Sequence, residues 1–349
     1  MKKIFIGIDF SKKKFDATAI FAENQFTQCG KSVYQTFQNN REGFRNLMDW
    51  TARIAPGADK DDFLFCGENT GIYSEFLSTM LSAEDFTMWL ENPLQIKRSM
   101  GIQRIKNDKA DSAAIAEYAM RFQDKCVAYI PLKDSLKSLQ EIFKYRAHLV
   151  REKHALKVRC KEKLSTDAKP SKALKFMRHS SSMIVGRIDK EIEKCEKEME
   201  KIIKEDEELK RTFDIVTSIK GVALQNAAVL LVVTNNFQRF DYDARKLACF
   251  YGVAPFGKES GTSVHTAPHT SCFADSLLKS LITEAAKCAV VRCDELREYY
   301  QRLIARGKKR MVALNNVKNK MLHIIMAMVK SGKRYAPDYK MQLALQYIK

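Results

Sequence analysis

The stretch RIKNDKADSAAIAEYA, residues 104–119, sets Asp108 and Asp111 three apart at the start of an alanine-rich run, among Arg104, Lys106 and Lys109. Residues i and i+3 share a helix face, so two bare carboxylates there repel. A divalent cation between them turns the repulsion into attraction, and the three basic neighbours suit a phosphate backbone. Two more acids stand where strands should end: Asp9 closes the apolar alternation of KIFIGID, and Glu68 closes DFLFCGE. Mg2+ or Mn2+ takes hard oxygen ligands, which three or four carboxylates at one rim supply. Two such ions about 3.5–4 Å apart clamp the attacking and leaving oxygens of a phosphodiester. Each acid also has an ordinary reading: Asp108 as a helix N-cap, Asp111 as a partner of the helix dipole, Glu68 as a surface acid. Their joint occurrence favours the metal.

The elements that must position these acids read as follows. KIFIGIDFSKKKFDATAIF predicts a β-hairpin, with Ile4, Ile6 and Ile8 on one strand and Phe15, Ala17 and Ala19 on the next. DFLFCGENTG and FTMWLENP predict further strands, the last stopping at Pro93, and YSEFLSTML a helix between them. Strands alternating with helices over the first 130 residues make an α/β domain with a mixed sheet. From about Leu132 the pattern becomes long charged helices. Val185, Ile188, Ile192, Cys195, Met199 and Ile202 form a short heptad seam, and LSTDAKPSKA separates this helix from the one before. An antiparallel helical hairpin or coiled coil is expected over 131–212, basic on the first arm and acidic on the second. After Phe213 the pattern is mainly α: a helix-turn-helix-like stretch around Gly221, a helix ending at Gly252, a polar loop of about twenty residues, then basic helices.

Charge narrows the partners. Lys and Arg outnumber Asp and Glu by 60 to 42. The excess concentrates in two stretches, 144–178 at +9 and 299–337 at +10, against +18 for the whole chain. A polyanion is the expected partner, with Lys308, Lys309 and Arg310 among its phosphate contacts. The nine cysteines show no CxxC pair and no histidine at metal-ligand spacing, which suits reduced packing residues in the cytoplasm. The longest apolar run, 227–233, is far short of the roughly 20 residues of a membrane span. The start, MKKIFIGIDF, lacks the apolar stretch and cleavage site of a signal peptide.

GIDFSKKKFDATAI, FCGENTG and NPLQIKRSMGIQRIKNDKADSAAIAEYA together resemble the RuvC-type, RNase H-like catalytic domain of the DEDD transposases of IS110 insertion sequences, the Piv- and MooV-like recombinases. The family element K-T-D-x-x-D-A reads KNDKADS here, with Asn107 for Thr, Ser112 for Ala and both acids kept. IVTSIKGVALQNAAVLL and FDYDARKLACFYGVAPFGKESGTS resemble the family's C-terminal domain and its P…SG signature. The resemblance implies a metal-binding set of Asp9, Glu68, Asp108 and Asp111 in a domain over 1–130, and a serine nucleophile, Ser260, in a domain over 213–349. The chain departs from the family in two places. Its turn reads IKGVA, keeping only Gly221 of P-G-[IV]-G, and ADSLLK replaces G-N-x-x-[LI]-R, leaving Lys279 to supply a charge. The resemblance further implies donor and target DNA, a structured guide RNA, a homo-oligomer (dimer or tetramer), and a prokaryotic, nucleoid-associated enzyme.

Three rivals remain at this point, one of them a catalytically dead DNA-binding protein, whose carboxylates would tolerate alanine. A RuvC-like junction-resolving endonuclease would use water where this reading uses Ser260. An actin-like ATPase or sugar kinase also begins IGID, but needs a Gly- and Thr-rich phosphate loop where this chain has FSKKKF.

Overall fold

A computed structural model describes residues 4–22, 29–99, 101, 107–162, 171–260, 264–271 and 273–336. Arg104 and Lys106 lie outside the described residues. The chain divides into two compact units, Met1–Pro131 and Leu132–Lys349.

The first unit is a five-stranded mixed sheet with helices on both faces. Its elements are β1 (Ile4–Phe10), β2 (Lys14–Ala22), β3 (Cys29–Gln38), α1 (Arg41–Ile54), β4 (Phe63–Glu68), α2 (Ile72–Ala83), β5 (Met88–Glu91), α3 (Pro93–Ser99) and α4 (Asp108–Arg121). The strand order is β3-β2-β1-β4-β5. β1, β2 and β3 form an antiparallel meander, while β4 and β5 continue the sheet in parallel with β1. This is the RNase H-like arrangement.

Strand alternation sorts the residues between the two faces. Ile4, Ile6 and Ile8 of β1 join Phe15 and Ala17 of β2 and Phe65 of β4 in a core covered by Leu47 and Trp50 of α1 and Leu77 of α2. Phe5, Leu64, Cys66 and Trp89 fill the opposite core against Ile96 of α3 and Ile115 and Tyr118 of α4. α4 lies unusually close to the sheet. A Cβ on Gly7 would come within 2.1 Å of the Ser112 carbonyl oxygen and 2.2 Å of the Ala116 nitrogen, so only glycine fits under the helix. The buried hydroxyls of Thr18 and Ser112 pair at 2.7 Å across the same contact.

The second unit holds α5 (Asp134–Glu162), α6 (Lys172–Glu205), α7 (Glu207–Val216), α8 (Leu224–Val233), α9 (Ala244–Phe250), β6 (Pro255–Ser260), β7 (Val264–Thr270), α10 (Ser276–Arg292), α11 (Asp294–Ala305) and α12 (Arg310–Ser331). α5 and α6 run antiparallel, since Arg146 pairs with Glu196 at 2.8 Å and Lys153 with Asp189. The basic arm thus meets the acidic one. The buried positions of α6 are Ile192, Cys195, Met199 and Ile203, whereas the heptad reading placed Ile202 at the end of the seam. The reason is packing. Leu136, Leu139, Phe143, Met199 and Ile203 share one core with Val216, Leu231, Leu247, Ile282 and Ile325, so the arms end on a globular body and the contact keeps the 3.6-residue period of a single helix.

Gly221 turns the chain between α7 and α8 with φ +107°, and a Cβ there would sit 2.6 Å from the Ala285 carbonyl oxygen of α10. The expected polar loop is in fact largely a two-stranded hairpin, pairing Pro255 with Thr270 and Ser260 with Val264. Its polar composition masks an alternating extended segment whose backbone groups satisfy one another across the pair. Lys279 Nζ donates to the Ser271 carbonyl oxygen at 3.0 Å, and Asn315 Nδ2 donates to the Val253 carbonyl oxygen at 2.8 Å, fixing both ends of the hairpin's base.

Candidate active site

Three acids reach the α4 face of the sheet by parity alone. Asp9 follows Phe5 and Gly7 on β1, Glu68 follows Leu64 and Cys66 on β4, and Asp16 precedes Thr18 on β2. Asp9 and Asp16 are direct partners in the antiparallel register. Because Ser112 and Ala116 of α4 sit over Gly7, the first turn of the helix lies beside the end of β1, and it carries Asp108 and Asp111. Asn107 caps that turn, its side chain accepting from the Ala110 N–H at 2.7 Å. Asn and Thr both serve as N-caps, which accounts for the exchange at this position. Asp108 is therefore spared from capping.

The charges act on one another. Burial pushes Asp9 up to about 6, and Asp111, Glu68, Asp108 and Asp16 add to the push in that order. Glu68 is also raised, first by burial and then by Asp111. The four acids singled out from sequence are thus electrostatic neighbours. Glu91, opposite Glu68 in the register, instead braces the fold, accepting from Tyr118 Oη at 3.1 Å and from the Asn92 N–H at 2.6 Å.

A lysine stands among these acids. Lys14 Nζ lies 2.6 Å from Asp108 Oδ2 and 3.1 Å from Asp16 Oδ2. Asp16 is itself buried, and its Oδ1 accepts from Tyr34 Oη and Thr36 Oγ1, each at 2.5 Å. Burial works to raise Asp16, but the bonds from Thr36, Tyr34 and Lys14 outweigh it and hold the carboxyl low. Sequence reading missed Lys14 and Asp16 as site residues. The signal was present, because extending the predicted hairpin's alternation pairs Asp16 with Asp9.

The donor chemistry fits a divalent ion: the acids offer only carboxylate oxygen, and Asp9 is raised first by burial and then by the acids around it. Among the described residues, no three His, Cys, Asp or Glu side chains already form a metal-holding group. Asp108 Oδ2 is instead engaged by Lys14.

Of the remaining described candidates, Lys109 shares the first turn of α4 with Asp108 and Asp111, and the others lie in the second unit. Lys109 is exposed, with Nζ 5.7 Å from the Tyr34 ring centroid. Ser260 is the last residue of β6, in the second unit. Lys279 is half-buried and engaged at the hairpin's base. Lys308, Lys309 and Arg310 are all exposed at the start of α12. Cations are unfavourable at a helix N-terminus, so these three gain from an anion placed there. No helix among the described residues is long and apolar enough to cross a membrane.

Comparison with known proteins gives the family. A transposase family model for the DEDD proteins of the IS110 type matches residues 6–166, and the model of the transposase IS116/IS110/IS902 family matches residues 213–301. The pilin gene-inverting proteins of Moraxella bovis and Moraxella lacunata are each 26% identical over 339 residues, covering 96% of this chain and 98% of theirs. A 43.6 kDa protein of insertion element IS110 from Streptomyces coelicolor is 34% identical over 121 residues, 35% of this chain and 29% of that one. Thermus thermophilus RuvC overlaps 36% of this chain and 99% of its own, at a TM-score of 0.28 and 11% identity. With both family models matched in order, and a mixed sheet bearing its acids where the first model lies, the chain belongs to the IS110 family of DEDD transposases, enzymes that cut and rejoin DNA.

Proposed function

We propose that this transposase cuts and rejoins DNA using Asp9, Glu68, Asp108 and Asp111 as ligands for Mg2+ or Mn2+ and Ser260 as the nucleophile. The observation that supports the metal half is geometric: strand parity puts Asp9 and Glu68 on the α4 face of the sheet, and the first turn of α4, which carries Asp108 and Asp111, lies beside the end of β1. The bound ion supplies Lewis-acid polarisation of the phosphate and charge neutralisation in the transition state. Asp9 and Glu68 project from the sheet, while Asp108 and Asp111 close the set from the helix, so their spacing depends on the Gly7 contact.

Ser260 Oγ forms a bond to the DNA phosphorus as the bond to a deoxyribose oxygen breaks. The serine proton leaves to a base, and the departing sugar oxygen takes up a proton. The resulting ester keeps the phosphoryl group available for rejoining. A serine rather than water suits a family that rejoins strands, and family membership with the P…SG match supports it. The basic stretches, with Arg104, Lys106, Lys109, Lys308, Lys309 and Arg310, hold the backbones of donor and target DNA and of a structured guide RNA. A dimer or tetramer brings the two DNAs together, in the cytoplasm of a prokaryote and in association with the nucleoid.

The experiment is strand cleavage by the full chain on DNA from the ends of its own element. Cleavage should need Mg2+ or Mn2+ and stop in EDTA, and Asp111→Asn should bind DNA without cutting it. Cleavage persisting in EDTA would refute the metal reading.

A further inference from the structure

We infer that Lys14 is a built-in counter-ion of the carboxylate site, one that holds Asp108 in the metal-free protein and is displaced from it when a divalent cation binds. The inference rests on the proposed metal role of the four acids and adds a competitor inside it.

The geometry separates two kinds of acid around this ammonium. Asp16 is a fixed anchor. Its carboxylate is buried, takes two hydroxyl donors from β3 on Oδ1 and receives Lys14 on Oδ2. An acid so fully bonded has little freedom to turn toward an ion. Asp108 is the opposite case, with a side chain 56% exposed at the first position of α4 and held by Lys14 at 2.6 Å. Two aspartates on different elements thus share one ammonium. Leaving Asp108 does not strand the charge, since Lys14 keeps its partner in Asp16.

A cation claiming Asp108 Oδ2 must replace Lys14 there, because the two positive charges repel across a shared oxygen. The same ammonium relieves repulsion among the five neighbouring acids while no ion is present. Lys14, like any lysine, is a cation in the physiological range, and two carboxylates hold its ammonium here. Removing it therefore has opposite effects on two properties. The metal-free fold loses stability, and the ion binds more tightly. A purely structural lysine would lower both.

The test is Mn2+ titration of the full chain, followed by electron paramagnetic resonance, together with thermal melting in EDTA. Lys14→Met should bind Mn2+ roughly 3- to 10-fold more tightly than wild type, melt several degrees lower in EDTA, and recover that loss in saturating Mn2+. Lys14→Arg should behave like wild type. Lys13→Met, which removes one charge from the same exposed turn, should change neither value. Unchanged or weaker Mn2+ binding by Lys14→Met, with wild type binding normally, would overturn the role of Lys14 and leave the metal reading standing. A wild-type chain that binds no Mn2+ would overturn both.

Discussion

The two units hold their proposed reactive residues by different physics. In the first, every acid sits on a strand end or a helix turn backed by a core buried on both sheet faces, with α4 pressed against β1 at backbone distance. In the second, Ser260 belongs to a two-stranded hairpin tied at its base by Lys279 and Asn315. Two paired strands alone are marginally stable. A rigid frame suits a metal site, where carboxylates must meet one ion to within tenths of an ångström. A tethered hairpin suits the proposed nucleophile, which would meet phosphorus as the ester forms and be released from it when the strands rejoin. The contrast teaches that the fold fixes position most firmly around the proposed coordinating acids.

The largest expected effects break each half separately. Asp9→Asn or Asp111→Asn should lower strand cleavage by at least about 10³-fold with DNA binding kept, as measured by gel-resolved cleavage and by filter binding. Ser260→Ala should form no protein–DNA adduct that survives denaturing electrophoresis while folding and binding persist. Comparable recombination by that variant would make Ser260 a turn residue and favour a nuclease that uses water.

Gly7→Ala probes the frame. Its new methyl meets two backbone atoms of α4 at 2.1 and 2.2 Å, contacts that no side-chain rotamer relieves. A loss of about 1–3 kcal/mol or more is expected in denaturant unfolding, with cleavage lost beyond what stability explains. In the second unit, Lys279→Met should leave Mn2+ binding untouched and raise protease sensitivity at the hairpin.

Acidification sharpens the comparison through Asp9. Its folded value of about 6 lies above the usual 3.8, so the folded chain takes up this proton first. As pH falls from about 7 to 4, this group should add on the order of 1–3 kcal/mol to the stability of the metal-free protein, with the gain abolished by saturating Mg2+. The smallest effect concerns the basic faces. Replacing Lys308, Lys309 and Arg310 by Ala should reduce the salt slope of duplex binding by about 2–3, if each meets one phosphate. An unchanged slope would make them solvated residues only.

Legibility in the sequence followed periodicity. The sheet face of Asp9 and Glu68 was readable because Ile4, Ile6 and Ile8 alternate without interruption and Phe63 to Cys66 form a continuous apolar run. The i, i+3 spacing of Asp108 and Asp111 survived as one helix turn. Lys14 and Asp16 were not found, because a lysine in a turn of lysines looks solvated until the register sets it between two acids. The strand β3 and the β6–β7 hairpin were missed for a related reason. Among its described side chains, β3 turns only Val33 and Phe37 into the core, with polar Gln35 between them, and the polar β6–β7 segment forms by backbone pairing, so neither carries an unbroken apolar alternation. The end of the α6 seam, at Ile203 rather than Ile202, depended on a globular core that no heptad count contains.

The most direct test of the convergence of Asp9, Glu68, Asp108 and Asp111 is an anomalous difference map from crystals of the chain soaked in Mn2+. One or two peaks within about 2.0–2.4 Å of oxygens from these four residues, with Lys14 drawn away from Asp108 toward Asp16, are expected. A Mn2+ peak bound elsewhere, with these carboxylates bare and Lys14 still on Asp108, would contradict the site.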